Sequence, residues 1–173
     1  MFRFTLKAPR RITHDARLKG VESTVQAFCA LAQTLGSKLG VLLFQLPPSF
    51  RKDLGVLEAF LGSLPPRVRA AFEFRHESWH DEDVFARLRD RNLALCIADS
   101  ERMSTPVHST ADYGYFRLRD EGYGPTDISK WAAIVRERGA HWGDVFVYFK
   151  HEEEGKGPEF ARQLATELGV LSP

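Results

Sequence analysis

Six short apolar runs recur along the chain, and helix-like segments separate most of them. The runs are FRFTLKAP (2–9), LGVLLFQL (39–46), RAAFEFR (69–75), LALCIAD (93–99), YGYFRLR (113–119) and DVFVYFK (144–150). Between the first two, Val21, Val25, Phe28, Leu31, Ala32 and Leu35 fall three and four apart, the spacing of one helix face. Asp53 can cap a second helix through 61. A third starts at Asp81 or Asp83 and runs through 91, with Val84, Phe85 and Leu88 inward. A fourth starts at Thr126 or Asp127, carries Ile128, Trp131, Ala132 and Val135, and ends at Gly139. The last opens at Gly157-Pro158, with proline in the first turn, and runs to about 168. Only 100–112 reads as a loop. Strand–helix alternation of this kind implies right-handed crossovers and a parallel sheet. The near-continuous apolar runs fit strands covered on both faces. Two architectures compete: an open doubly wound sheet, and a (β/α)8 barrel short at one end, since a complete barrel needs roughly 250 residues. No G-x-G-x-x-G follows a strand, which weakens a dinucleotide-binding version of the first.

The 173 residues suffice for one domain with a real core, and a single domain over 1–173 is expected. The formal net charge is +1, so no general polyanion-binding surface is indicated. Cys29 and Cys96 sit in apolar runs without CxxC or zinc spacing and read as small buried side chains. No apolar run approaches the roughly 20 residues that span a bilayer, and nothing resembles a signal peptide. A cytoplasmic location and no membrane partner are the default.

Function is sought where the runs end. In a parallel α/β fold the C-terminal ends of all strands lie on one side, and sites form there. Those ends carry, in order, Lys7 with His14 beyond it, Gln45, then Glu73, Arg75 and His76, then Asp99, then Arg117 and Arg119, and finally Lys150 and His151. Glu73 and Arg75 are two apart, as are Arg117 and Arg119, so in a strand each pair shares a face. One convergent pocket is expected. Lys7, Arg75, Arg117, Arg119 and Lys150 outnumber Glu73 and Asp99, which favours an anionic ligand, and arginine suits forked recognition of carboxylate or phosphate. The loops DEGYGPTD and HEEEGKGPE each bring glycine and then a helix start, where backbone N–H groups can hold an anion, although the acidic run 152–154 opposes phosphate on the latter. Tyr123, between two glycines, is a candidate ligand contact.

For proton transfer, Glu73 and Asp99 are candidates whose neighbouring arginines favour the ionised form, better suited to a base than an acid. His14 and His76 are the alternatives. Glu73, His76, Asp99 and His151 are metal-ligand types, but no spacing calls for a metal or any cofactor, and none is expected. No G-x-S-x-G elbow occurs. Trp79, Trp131 and Trp142 read as packing residues.

The segments FRFTLKAPRRITH (2–14), KLGVLLFQLPPSF (38–50), AAFEFRHESW (70–79), YFRLRDEGY (115–123) and VYFKHEEEGKGPEFA (147–161) together resemble the DUF72, or YecE-like, family. The resemblance implies a TIM-barrel fold and no reaction, because the family is named for its unknown function. The motif positions it carries over are Lys7, Thr13, His14, Gln45, Pro47, Pro48, Glu73, Arg75, His76, Trp79, Arg117 and Lys150. Two departures stand out. Many members have R-x-H-G where this chain has Arg117-Leu118-Arg119-Asp120, and an asparagine pair where it has Lys150-His151; both changes add positive charge. The resemblance also implies two barrel strands before the first run here. The six strands would then be barrel strands three to eight, in a truncated or alternatively started chain with open sheet edges, through which it could oligomerise.

Three readings follow. The first is an enzyme with hydrolase- or lyase-type acid–base chemistry on an anionic, phosphate- or carboxylate-containing small molecule. The second is a non-catalytic module for an anionic metabolite, with nucleic acid ranked lower because no basic stripe with interleaved aromatics is evident. The third is an inactive barrel remnant that needs a partner chain.

Overall fold

The computed structural model describes residues 2–150 and 155–171. The chain divides into two compact units, Met1–Ala94 and Leu95–Pro173.

In the first unit, β1 (Phe4–Lys7), β2 (Leu39–Gln45) and β3 (Ala70–Glu73) run parallel, with β2 between the others. The connecting helices α1 (Glu22–Gln33) and α2 (Leu54–Ser63) are the crossovers a parallel order requires, and α3 (Glu82–Arg89) follows β3. β2 is buried along nearly its whole length, which accounts for its unbroken apolar run, and Pro47-Pro48 prevents it from continuing. Phe44 stacks on Phe72 at 5.3 Å between ring centroids, and Phe60 of α2 meets Phe44 edge-on at 5.2 Å. The line of rings continues through Phe74, which lies 4.9 Å from Trp79 in a near-parallel stack. Each such ring withdraws apolar area worth about 2–3 kcal/mol. Asp53 and Asp81 cap α2 and α3, accepting from Val56 N at 3.1 Å and Asp83 N at 2.9 Å.

In the second unit, β6 (Tyr113–Leu118) lies between β4 (Ala94–Ser100) and β7 (Asp144–Phe149), all parallel. The span read as a loop, 100–112, contains a two-residue strand, β5 (Met103–Ser104), which folds back antiparallel on β4 and pairs Ser104 with Asp99. Two residues carry no periodicity, so pattern reading could not find it. α4 (Pro125–Gly139) and α5 (Lys156–Glu167) complete the unit. Ile97, Phe116, Leu118, Ile128, Trp131, Trp142 and Phe160 belong to its core. Gly114 is dictated by that core. A Cβ there would lie 2.7 Å from Trp142 Cε3.

Strand–helix order therefore follows the sequence pattern, with no element end displaced by more than two residues. Cys29 and Cys96 are buried free thiols, and burial raises the Cys29 thiol above its ordinary range. Among the described residues no helix is long and apolar enough to cross a membrane.

Candidate functional site

The strand ends of the first unit bring five of the singled-out residues together. β2 and β3 pair in a register that sets Gln45 beside Glu73. Gln45 Nε2 donates to Glu73 Oε2 at 2.9 Å, and Arg75 Nε donates to Glu73 Oε1 at 2.8 Å. Glu73 is 1% exposed, whereas the Arg75 side chain is 25% exposed. The strand ends at Glu73, so the pair does not form by sharing a strand face; Arg75 reaches back from the loop. One carboxylate thus fixes an arginine whose outer part stays open to solvent. A carboxylate with a donor on each oxygen is a better anchor for a cation than a group ready to take a proton.

His14 stands in a five-residue π turn, Arg11–Asp15, in which Ala16 N reaches Arg11 O at 3.2 Å. Its Nδ1 is 2.8 Å from the hydroxyl of Thr13, which is completely buried. Burial lowers the imidazole below its usual pKa; the positive charges of Arg10, Lys7 and Arg75 lower it further, and Asp15 opposes them. Three cations therefore bear on one half-buried ring. Arg10 is not among the residues that the strand ends single out, because it follows Pro9, past the end of the first run, and belongs to no periodic pattern.

The loops behind these residues are stapled to one another. Trp79 Nε1 donates to Phe50 O at 2.6 Å, and the two rings meet edge-on at 5.3 Å. Lys52 N donates to Ser78 Oγ at 2.9 Å while Lys52 Nζ reaches Asp81 Oδ2 at 2.6 Å. Arg17 bonds Ser49 Oγ at 3.3 Å and lies 6.0 Å from the Phe50 ring centre. His76 belongs to this scaffold: its Nδ1 accepts from Ser78 N at 3.1 Å and lies 2.9 Å from Ser78 Oγ, capping the turn Glu77–Trp79. The recess lined by Leu61, Pro65, Pro66, Arg67 and Arg91 lies toward the start of β3 and involves none of these side chains.

The second unit has its own strand-end group. Tyr123 OH donates to Asp99 Oδ2 at 2.6 Å and accepts from Trp131 Nε1 at 2.9 Å. Burial, and then the Asp99 carboxylate, push the Tyr123 phenol far above its ordinary pKa, so it stays protonated and donates. The residue singled out as a ligand contact thus has its hydroxyl engaged on both sides. Arg119 follows β6, its backbone N–H bonding Asp99 O at 3.1 Å. Arg117 is half-buried in β6, and Lys150, exposed, follows β7 with its N–H on Leu118 O at 2.9 Å. His151 and the acidic run 152–154 lie outside the described residues. Among the described residues, no three His, Cys, Asp or Glu side chains gather as a metal site.

A family model described as "Protein of unknown function DUF72" matches residues 1–172. The UPF0759 protein YecE of Escherichia coli K12 is 32% identical over 114 residues, covering 62% of this chain and 40% of that protein. The match therefore spans less than half of that relative's length. A DUF72 family crystal structure from Thermotoga maritima superposes with a TM-score of 0.87 at 24% identity, over 97% of this chain and 74% of that one. One from Enterococcus faecalis gives 0.83 at 18% identity, over 99% and 76%. These likenesses speak to the fold, which is α/β and TIM-barrel-like: the described residues supply six parallel strands, fewer than the eight of a complete barrel. The open doubly wound alternative is set aside.

Proposed function

The chain belongs to the DUF72 family, and on that premise we propose that its first unit binds an anionic small molecule, carrying phosphate or carboxylate, at the C-terminal ends of β1, β2 and β3. Lys7, Arg10 and Arg75 supply the charge. Glu73 and Gln45 hold Arg75 in place, and His14 is the acid–base group. The observation that carries this reading is the convergence of three cations on His14, a ring that burial already disposes to stay neutral. Positive charges gathered in this way favour a bound anion. On this reading the protein is an enzyme of hydrolase or lyase type. In the second unit Asp99, oriented by Tyr123, is a candidate acid–base group in its own right, with Arg117, Arg119 and Lys150 as candidate anion contacts.

A second reading, binding without catalysis, is favoured by the occupation of both Glu73 oxygens. Titration calorimetry with inorganic phosphate and with succinate tests the shared part of both readings. Saturable binding of one of them, weakened roughly tenfold or more by Arg75→Gln and by Lys7→Gln, is expected from loss of a charged hydrogen bond. Absence of saturable binding for both anions overturns the site. Tighter binding to single- or double-stranded oligonucleotides, with a steep salt dependence, would replace the small-molecule reading by a nucleic-acid one.

A further inference from the structure

Thr13 has a buried hydroxyl with one hydrogen-bond partner among the described residues. It is 0% exposed, and its hydrogen-bond partner among the described residues is His14 Nδ1, at 2.8 Å. A hydroxyl carries one proton to donate, and a buried donor left unmade is costly. Accepting from Nδ1–H would leave the Thr13 proton with nowhere to go. Donating to Nδ1 satisfies it.

We propose that Thr13 is a positioning residue that holds His14 as the Nε2–H tautomer, so that the imidazole meets the anion as a neutral hydrogen-bond donor. This rests on reading the Lys7, Arg10 and Arg75 cluster as an anion site. It also changes the part His14 plays there: the ring presents a proton to the ligand and does not offer a lone pair. Such a donor adds a directional contact without a fourth positive charge. The placement is local by construction. Thr13 and His14 are consecutive in the π turn, and that turn, in place of an ordinary helical one, sets the hydroxyl and the ring on each other. The setting agrees, since burial and the charges of Arg10, Lys7 and Arg75 favour the neutral ring over the imidazolium, against Asp15 alone.

The test is nuclear magnetic resonance on the 173-residue chain with 15N-labelled histidine, the His14 signals being those absent from His14→Gln. In the ligand-free wild type at neutral pH, Nδ1 is expected as the unprotonated, pyridine-like nitrogen and Nε2 as the protonated one. Added inorganic phosphate should then shift Nε2 more than Nδ1. Thr13→Val should release the tautomer preference and weaken phosphate binding roughly tenfold, while Thr13→Ser should retain both. A proton on Nδ1 in the ligand-free wild type overturns the proposal, even if Thr13→Val fails to fold. So does an unchanged tautomer in a folded Thr13→Val chain. Failure of the anion site itself looks different: His14 keeps its Nε2–H tautomer, but phosphate moves neither nitrogen.

Discussion

Gln45 and Glu73 lie abreast on neighbouring parallel strands, the amide of one 2.9 Å from the carboxylate of the other. That contact occupies one carboxylate oxygen and leaves the second for Arg75. The β2–β3 register thus decides where a guanidinium in the following loop will point. Without Gln45, the carboxylate could turn; without Glu73, Arg75 would have no anchor in the protein interior.

Glu73→Gln should therefore act through Arg75. It preserves shape but removes the charge that the guanidinium bonds, so a loss of about 1–3 kcal/mol in urea unfolding is expected. Phosphate affinity should fall with it, and Gln45→Leu should produce a weaker version of the same pair of effects. An unfolding midpoint and a phosphate affinity both equal to wild type in Glu73→Gln would show the pair to be idle.

Stability should fall on mild acidification. His14 and His80 both bind a proton more weakly in the folded chain than at the reference value of 6.5, chiefly because burial disfavours the charged ring. The unfolded chain then takes up protons first as the pH drops. This part of the stability is complete above about 6.5, drains away below it, and stops changing once the folded histidines protonate in turn. Unfolding followed from pH 8 to 5 should show the decline, and His80→Gln should flatten it. A second decline belongs to lower pH. The Lys52 hydrogen bond and the Gly124 N–H hold Asp81 and Asp127, respectively, below their reference of 3.8.

Tyr123 should resist alkali. Burial and Asp99 raise its phenol well above the reference of 10.0, so an ultraviolet alkaline titration should lose a late, high-pH step in Tyr123→Phe. Here the folded state keeps its proton longer than the unfolded one, and the stabilisation is present at neutral pH and lost as the pH rises beyond about 10. Tyr123→Phe leaves Asp99 and Trp131 each without a partner atom, at a cost of about 1–3 kcal/mol. A Tyr123→Phe chain with unchanged stability and an unchanged alkaline titration would refute the network.

Gly114→Ala should be costly for a residue in mid-strand. The added methyl carbon would meet the Trp142 ring at 2.7 Å, and overpacking of this kind costs about 1–3 kcal/mol. A lowered urea midpoint with altered tryptophan emission is the expected result.

Much of this molecule was legible in its sequence because burial and periodicity are local properties. The run LGVLLFQL followed by Pro47-Pro48 could hardly be anything but a covered strand with a hard stop, and Asp53 and Asp81 announced the helices they cap. The site was legible only by residue type. Glu73 and Arg75 do pair, but through a loop and not along a strand face. Thr13 stood among the family-motif positions, but its bond to His14 is made by a π turn over 11–15, which has no sequence period, and Arg10 carried no signal at all. Tyr123 reads as a ligand contact between its glycines, and nothing local to the loop announces that Trp131, eight residues further on, engages its hydroxyl.

Trp79 has one more use. It is the sole tryptophan of residues 1–94, and its indole lies against Phe74, next to Arg75, with its N–H on the loop that follows Pro48. In a chain carrying Trp131→Phe and Trp142→Phe, all indole emission would come from the loops around the cation cluster. Fluorescence would then serve as a private optical channel to that cluster, reporting loop loosening or anion arrival without a substrate ever having been identified.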